Sequence, residues 1–450
     1  MKFSRRDALK FGGALAAAVA SAGVAEAAET VPKSQPADGP ATLPKPKGTR
    51  VVVVGGGWSG LSLAKYTKLF APAADVVLVE QRDVFISCPV SNMWLVDKVD
   101  LEFITHDYYQ AAQQHGYTYF HAAATGVDKA RNTLHTTMGD IAYDYLVLAP
   151  GIDYDYSFWT NDPQLENRLR QEYPAAFRPG SEHMTLKRKI HAFEGGTFLM
   201  TVPGGNYRCL PAPYERACLI ADYFKHNGIK GKVLLLDENN DITIKAHGFH
   251  TAFEELYKEY IVYEPNAVIE AIDLDKKQVK TEFDTFTFDD ASFYPHVRGG
   301  KLLEVCGVAK DTVYNRLEGD IDPMTYEVRG HPNIYVTGDA RPTGFSKSGN
   351  TSLSEGQNVA KMLAAKINKQ VPLKWMSPVT LCISAVSAYP EHGIFIHSEY
   401  AYNPKRKQFE FATPVTDEHW KGEEGLENAR NIYGWAEACY IDMFGAAKSS

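Results

Sequence analysis

Cysteine is scarce in this sequence, six in 450 residues, which excludes a small disulfide-built scaffold. None of the six falls in a C-x-x-C-H spacing, so no c-type haem attaches through that motif. No C-x-x-C pair occurs either, which removes a zinc ribbon and a thioredoxin-type dithiol; no metal site is expected. Positive charge is not in excess. Lys and Arg number 47 against 55 Asp and Glu, a net charge of −8, where a nucleic-acid-binding protein carries a basic face. The apolar stretch from Phe11 to Ala22 falls short of the roughly 20 residues of a membrane span, so no transmembrane anchor is expected. What remains is an ordinary globular composition, 44% hydrophobic, with room for about three domains.

The N-terminus has its own grammar. A basic segment with the pair Arg5-Arg6 precedes the apolar run, and Ala25-Glu26-Ala27 supplies small residues at both positions of a cleavage site. These three regions in this order spell a twin-arginine signal peptide over residues 1–27. Export of a folded chain to an oxidising, periplasmic compartment follows, and disulfides persist there. Cleavage removes four basic and two acidic residues, taking the net charge to about −10. Residues 28–47, rich in Pro, Ala and Lys, read as a linker.

The mature chain opens on chemistry. Thr49 to Val54 is β-branched and apolar, the pattern of a buried parallel strand. Gly55-Gly56-Gly57-Trp58-Ser59-Gly60 follows at once and fits G-x-G-x-x-G. A helical stretch runs to Phe70, and a second strand from Asp75 ends at Glu80. The spacing is that of a dinucleotide site: Gly55 for the turn, Gly57 for the approach of a pyrophosphate, Gly60 for helix-on-strand packing. The helix N-terminus stabilises phosphate charge, and Glu80 suits a ribose hydroxyl.

Two later segments extend this reading. Tyr145 to Gly151 is a strand ending in a tight turn, and Asn333 to Ala340 is a strand followed by Gly338-Asp339. The pair resembles the glutathione-reductase-like flavoproteins, which have two dinucleotide-binding domains. That resemblance implies FAD as cofactor, with Asp339 at its ribityl and pyrophosphate region. Relatives of that kind that use NAD(P)H carry a second glycine fingerprint mid-chain. Here the strand Gly196–Val202 runs instead into Pro203-Gly204-Gly205-Asn206-Tyr207-Arg208-Cys209-Leu210-Pro211. A helix from Tyr214 to His226 and a strand from Lys232 to Asp237 complete the unit. The architecture persists without the nicotinamide turn, so a reductant smaller than NAD(P)H is expected.

Cys209 sits at the switch-point face of that second unit, where open α/β sheets bind ligands. Cys88 lies in Ser87-Cys88-Pro89-Val90-Ser91-Asn92, and Cys382 in Thr380-Leu381-Cys382. Cys218, Cys306 and Cys439 are flanked by apolar residues and read as core. With Tyr207-Arg208-Cys209, Pro213-Tyr214-Glu215-Arg216, Lys347-Ser348-Gly349 and an aromatic C-terminal helix ending near Met443-Phe444-Gly445, these segments resemble the flavoprotein subunits of the flavocytochrome c sulfide dehydrogenases. The sulfide:quinone oxidoreductases are related.

The resemblance carries roles. It implies that Cys209 and Cys382 form a redox-active disulfide, with Glu215 as the acid/base group. Cys88 would join the flavin through its sulfur. Lys347 would approach the flavin ring, and Trp435 would lie near it. Leu210 and Ala212 depart from the family pattern, as does Pro89 after Cys88. Sulfide as substrate and a c-type cytochrome subunit as the haem-carrying acceptor follow. Transfer to quinone and a non-catalytic flavin-binding partner are the alternatives.

The expected layout is α/β, two dinucleotide-binding-type domains plus a C-terminal α+β region. An FAD-binding domain spans residues 48–155 and 300–370, and a second Rossmann-like domain spans 156–299. An interface domain covers 371–450. In it, two strands (Gly393–Tyr402 and Gln408–Thr413) form a hairpin and Leu426–Phe444 a packed helix.

Overall fold

The valine run Val51–Val54 forms the inner strand of a six-stranded sheet. In space the order is Glu327–Val328, His331–Val336, Tyr145–Leu148, Arg50–Val54, Asp75–Glu80 and Thr118–His121. All neighbours pair in parallel except the short edge strand Glu327–Val328. Helices or loops cover both faces of such a sheet, so its strands need no polar alternation; Val51, Val52 and Val53 are fully buried. The computed structural model describes residues 43–445, which form one compact unit. The expected signal peptide (1–27) and most of the expected linker lie outside the described residues.

A second parallel sheet has the order Ile261–Glu264, Lys230–Asp237, Gly195–Val202 and Asp290–Ser292. The helix Ala212–His226 connects its two long strands. Each sheet has its own apolar core, the first valine-rich, the second built on Phe198, Phe224, Phe249 and Phe293.

The third layer is an antiparallel meander, Thr380–Ala388, Glu391–Asn403 and Gln408–Asp417, with the helix Gly422–Phe444 packed on it. The sequence pattern supplies two of these strands. The third, Thr380–Ala388, belongs to the segment that carries Cys382.

That strand is pinned to the helix Ala212–His226. Glu215 and Asp222 lie two turns apart on one face of the helix. Glu215 Oε1 accepts the Ala385 N–H at 2.8 Å, and Asp222 Oδ2 accepts the Ala388 and Tyr389 N–H groups at 2.7 and 2.9 Å. Met93, Val96, Leu219, Ala385 and Ile432 form a small apolar cluster across the same junction. By this means a strand near residue 380 reaches the turn near residue 209.

Candidate active site

The glycine turn behaves as sterics require. Gly55 has φ of 106°, and a Cβ there would lie 2.3 Å from the Ala149 carbonyl oxygen. A Cβ on Gly60 would lie 1.9 Å from the Gly55 carbonyl oxygen, so helix and turn touch backbone to backbone. Gly57 is different: a Cβ on it meets nothing within 4 Å. It faces a cavity of about 600 Å³, walled also by Glu80, Arg82, Cys88, Gly151, Arg208, Lys301 and Asp339. The helix Trp58–Phe70 starts there with no acidic residue in its first turn. Its free N–H groups and dipole suit an anion.

Glu80 is buried and already engaged. Oε2 accepts the Gly56 N–H at 2.7 Å, and Oε1 accepts the Gln81 and Arg82 N–H groups at 2.9 and 3.0 Å. The carboxylate thus fixes the turn while still facing the cavity. Asp339 is held likewise. Ser352 Oγ donates to its Oδ1 at 3.1 Å, and Arg208 Nε lies 3.2 Å from its Oδ2. The volume, the glycine opening and two fixed carboxylates fit an adenine-dinucleotide flavin.

A second, smaller chamber of about 70 Å³ shares Cys88, Arg208 and Gly349 with the first. Cys209, Glu215, Arg216, Cys382, Asn92 and Trp435 contribute to its wall. Cys209 occupies the turn after the strand Gly195–Val202 in a left-handed conformation, φ 59°, which non-glycine residues rarely adopt. Its N–H donates to the Lys347 carbonyl at 2.8 Å. Cys382 comes from the strand Thr380–Ala388 and lines the same chamber as Cys209. Both cysteines are half-buried in that wall, with no bond drawn between them.

The charges around them are unequal. Lys245 is buried, and its Nζ donates to Ser384 Oγ at 2.7 Å and to the Cys382 carbonyl at 3.3 Å; Cys382 Sγ is 3.9 Å away. The hydrogen bond from Cys209 and then Lys245 hold the Cys382 thiol below the usual range, against burial. The Cys209 thiol is pushed up by its hydrogen bond to Cys382 and by burial. Burial also pushes Glu215 up to about 7. Its Oε2 accepts from Asn92 Nδ2 at 2.7 Å.

The remaining expected residues divide. Cys88 lies on the wall common to both cavities, its Sγ 3.2 Å from the Phe177 carbonyl and 3.9 Å from His183 Nε2. Burial raises its thiol, and Arg208 and Arg216 oppose that. Trp435 stacks on Trp58 with ring centres 5.7 Å apart and donates from Nε1 to Asn350 Oδ1 at 2.8 Å.

Lys347 is engaged by the protein itself. Its ammonium is buried 2.7 Å from Glu318 Oε1 and 2.6 Å from the Asp339 carbonyl, and its side chain lines neither cavity. The positive side chain at the shared wall is Arg208, quoted in the sequence motif without a role. Lys245 carried no sequence signal, because its partners are 137 or more residues away.

Residues 183–294 match the central-region model of the sulfide dehydrogenase [flavocytochrome c] flavoprotein chain, and residues 49–174 the pyridine nucleotide-disulphide oxidoreductase model. The chain is 54% identical over 43 residues to the sulfide dehydrogenase [flavocytochrome c] flavoprotein chain of Chlorobaculum thiosulfatiphilum, covering 10% of this chain and 90% of that sequence. It is 22% identical over 345 residues to the mitochondrial sulfide:quinone oxidoreductase of Mus musculus, 74% of each. The crystal structure of the Aquifex aeolicus sulfide:quinone oxidoreductase has the same fold. Its TM-score is 0.69 at 18% identity, covering 89% of this chain and 93% of that one.

Proposed function

We propose that this chain, which belongs to the flavoprotein family of the flavocytochrome c sulfide dehydrogenases and sulfide:quinone oxidoreductases, is a periplasmic FAD-dependent sulfide dehydrogenase that delivers electrons to a c-type cytochrome. One observation carries the reading. Cysteines 173 positions apart, Cys209 and Cys382, meet in a chamber that shares a wall with the glycine-lined cavity.

Hydrosulfide is a small nucleophilic anion, and thiol–disulfide exchange needs a thiolate attacking a sulfur that can leave. Attack on the oxidised Cys209–Cys382 pair leaves a persulfide on one cysteine and a thiolate on the other. Glu215, with a pKa near neutrality, holds or releases the proton of the entering sulfur. Asn92 and the Ala385 N–H fix that carboxyl in place. Arg216 donates to Asn92 Oδ1 at 2.9 Å and so orients the amide. FAD, when bound, supplies two-electron oxidation and can release its electrons singly. Gly57 and the helix N-terminus would hold its pyrophosphate, Asp339 its ribityl region, and the Cys88 thiol would form the covalent link.

The cytochrome acceptor is supported by the name of the Chlorobaculum thiosulfatiphilum relative. The periplasmic address is supported by the twin-arginine segment. Anaerobic sulfide should bleach the flavin absorbance of the purified protein, and oxidised cytochrome c should restore it faster than a soluble quinone does. No bleaching ends the proposal; faster restoration by quinone transfers it to the quinone branch. Flavin that stays with acid-precipitated protein, and leaves it in Cys88→Ser, establishes the covalent link.

A further inference from the structure

Lys245 lies at the start of the helix Ala246–Glu255 in a left-handed conformation, φ 54°. Only 3% of its surface is exposed. A buried ammonium needs an anion or a full set of acceptors. Among the described residues no carboxylate pairs with it. Its neighbours are Ser384 Oγ, the carbonyls of Cys382 and Ile394, and Cys382 Sγ.

Lys245 sits behind Cys382 and Ser384, outside the chamber wall, whose charged or titratable groups besides Cys382 are Cys209, Glu215, Cys88, Arg208 and Arg216. Arg208 is paired with Asp339. Arg216 gives its donors to Asn92 Oδ1 and to the carbonyls of Ala175 and Ala176. Glu215 is held by Asn92 and the Ala385 N–H. Lys245 is therefore the cation whose donor is directed at one sulfur of the pair.

We propose that Lys245 is a positioning residue that fixes the direction of sulfur addition: it holds the negative charge on Cys382, so that Cys382 leaves and the persulfide forms on Cys209. This rests on the sulfide-oxidising reading above. In the step, the hydrosulfide sulfur forms a bond to Cys209 Sγ while the Cys209–Cys382 bond breaks. The electron pair of the broken bond passes to Cys382 Sγ. The hydrosulfide sulfur is oxidised, the disulfide is the oxidant, and the proton stays on the persulfide or passes to Glu215. The leaving sulfur departs faster the lower its thiol pKa, and an opposite charge at this distance favours the thiolate.

The test has two arms on the flavin-loaded protein. In the first, the reduced enzyme is alkylated with iodoacetamide at a series of pH values, and each cysteine is followed by peptide mass spectrometry. Cys382 should label at lower pH than Cys209. In Lys245→Met its midpoint should rise by about 1–3 pH units, and Lys245→Arg should restore it. In the second arm, oxidised enzyme receives one equivalent of sulfide and is quenched with N-ethylmaleimide. The persulfide should sit on Cys209 and the maleimide on Cys382, with both distributions mixed in Lys245→Met.

An unmoved Cys382 midpoint in a variant of unchanged flavin content overturns the pairing, as does a persulfide found on Cys382 in the parent. If Lys245→Met does not fold, Lys245→Gln, which keeps a donor for Ser384, takes its place. If sulfide adds to neither cysteine, the functional reading fails, while the alkylation arm still decides whether Lys245 serves Cys382.

Discussion

In the first strand–helix–strand unit the chain leaves its strand at Val54 and enters its helix at Trp58, after three glycines; in the second it leaves at Val202 and enters at Ala212, after nine intervening residues. The first helix has no acid in its opening turn, so its N-terminal field stays available to an anionic ligand. The second opens on Pro211-Ala212-Pro213 and carries Glu215 in its first turn, filling that field with the protein's own carboxylate. One turn leaves backbone N–H groups facing a large cavity. The other uses its length to hold Cys209 with φ above zero beside Cys382. By lengthening one turn and supplying its own acid, the second unit brings a cysteine to the place where the first leaves room for a ligand.

The comparison breaks most sharply at Cys209. Cys209→Ser removes the pair from the second unit and touches nothing in the first. Sulfide-driven flavin reduction should fall at least about 10³-fold, the scale of losing a member of a catalytic unit, with flavin content unchanged. Stopped-flow absorbance under anaerobic conditions reads both, and full-rate bleaching would refute the assignment.

Lys347 gives the next largest effect, and it should be structural. Lys347→Met leaves Glu318 buried and unpaired, at a cost of about 3–5 kcal/mol. The double variant Lys347→Met, Glu318→Gln should recover much of it. Thermal unfolding measures both, and the flavin spectrum of any folded variant should match the parent. A spectral shift in the folded single variant would return Lys347 to the ring.

These two lysines also mark what the sequence can carry. The glycine turn is readable because its geometry is local: strand, turn, helix and Glu80 fall within 31 residues, 50–80. The second unit is readable as a departure from the same pattern. Cys209 and Cys382 meet only through the clamps of Glu215 and Asp222 on a strand some 170 residues away, so composition and spacing leave that pairing to a family resemblance. Lys347 sits in the recognised segment, yet its side chain turns to Glu318 in the two-residue strand Glu318–Gly319, too short for any periodicity to mark. Lys245 is one lysine among many until tertiary contacts set it beside Cys382.

Glu215 sharpens the contrast in pH. With a pKa near 7 it accepts a proton only above that value. Reduction by sulfide should therefore slow as pH falls through neutrality, and Glu215→Gln should flatten that limb and lower the plateau about 10²-fold. The stability sign runs the other way. Because folding raises this carboxyl's pKa, its ionisation disfavours the folded state, and that cost grows as pH rises from the ordinary carboxylate range through about 7. Glu215→Gln should thus be stabilising, relative to the parent, on the alkaline side. An unchanged pH profile of the rate would remove Glu215 from proton handling.

The smallest effect separates two glycines of one motif. Gly57 has φ of −80° and ψ of −173°, which alanine adopts freely, and its Cβ would meet no protein atom within 4 Å. Gly57→Ala should leave the unfolding of the flavin-free protein within about 0.5 kcal/mol of the parent. The added methyl projects into the cavity, where a phosphate must approach the backbone, so flavin binding should weaken by about 1–3 kcal/mol. Measured in a Cys88→Ser background, so that no covalent link masks affinity, this appears as a raised dissociation constant for FAD. Gly60→Ala forces a Cβ against the Gly55 carbonyl and should instead lower the stability of the flavin-free protein itself. If both variants melt like the parent and bind flavin alike, the large cavity does not hold the pyrophosphate at this turn, and the first unit loses the role that distinguishes it from the second.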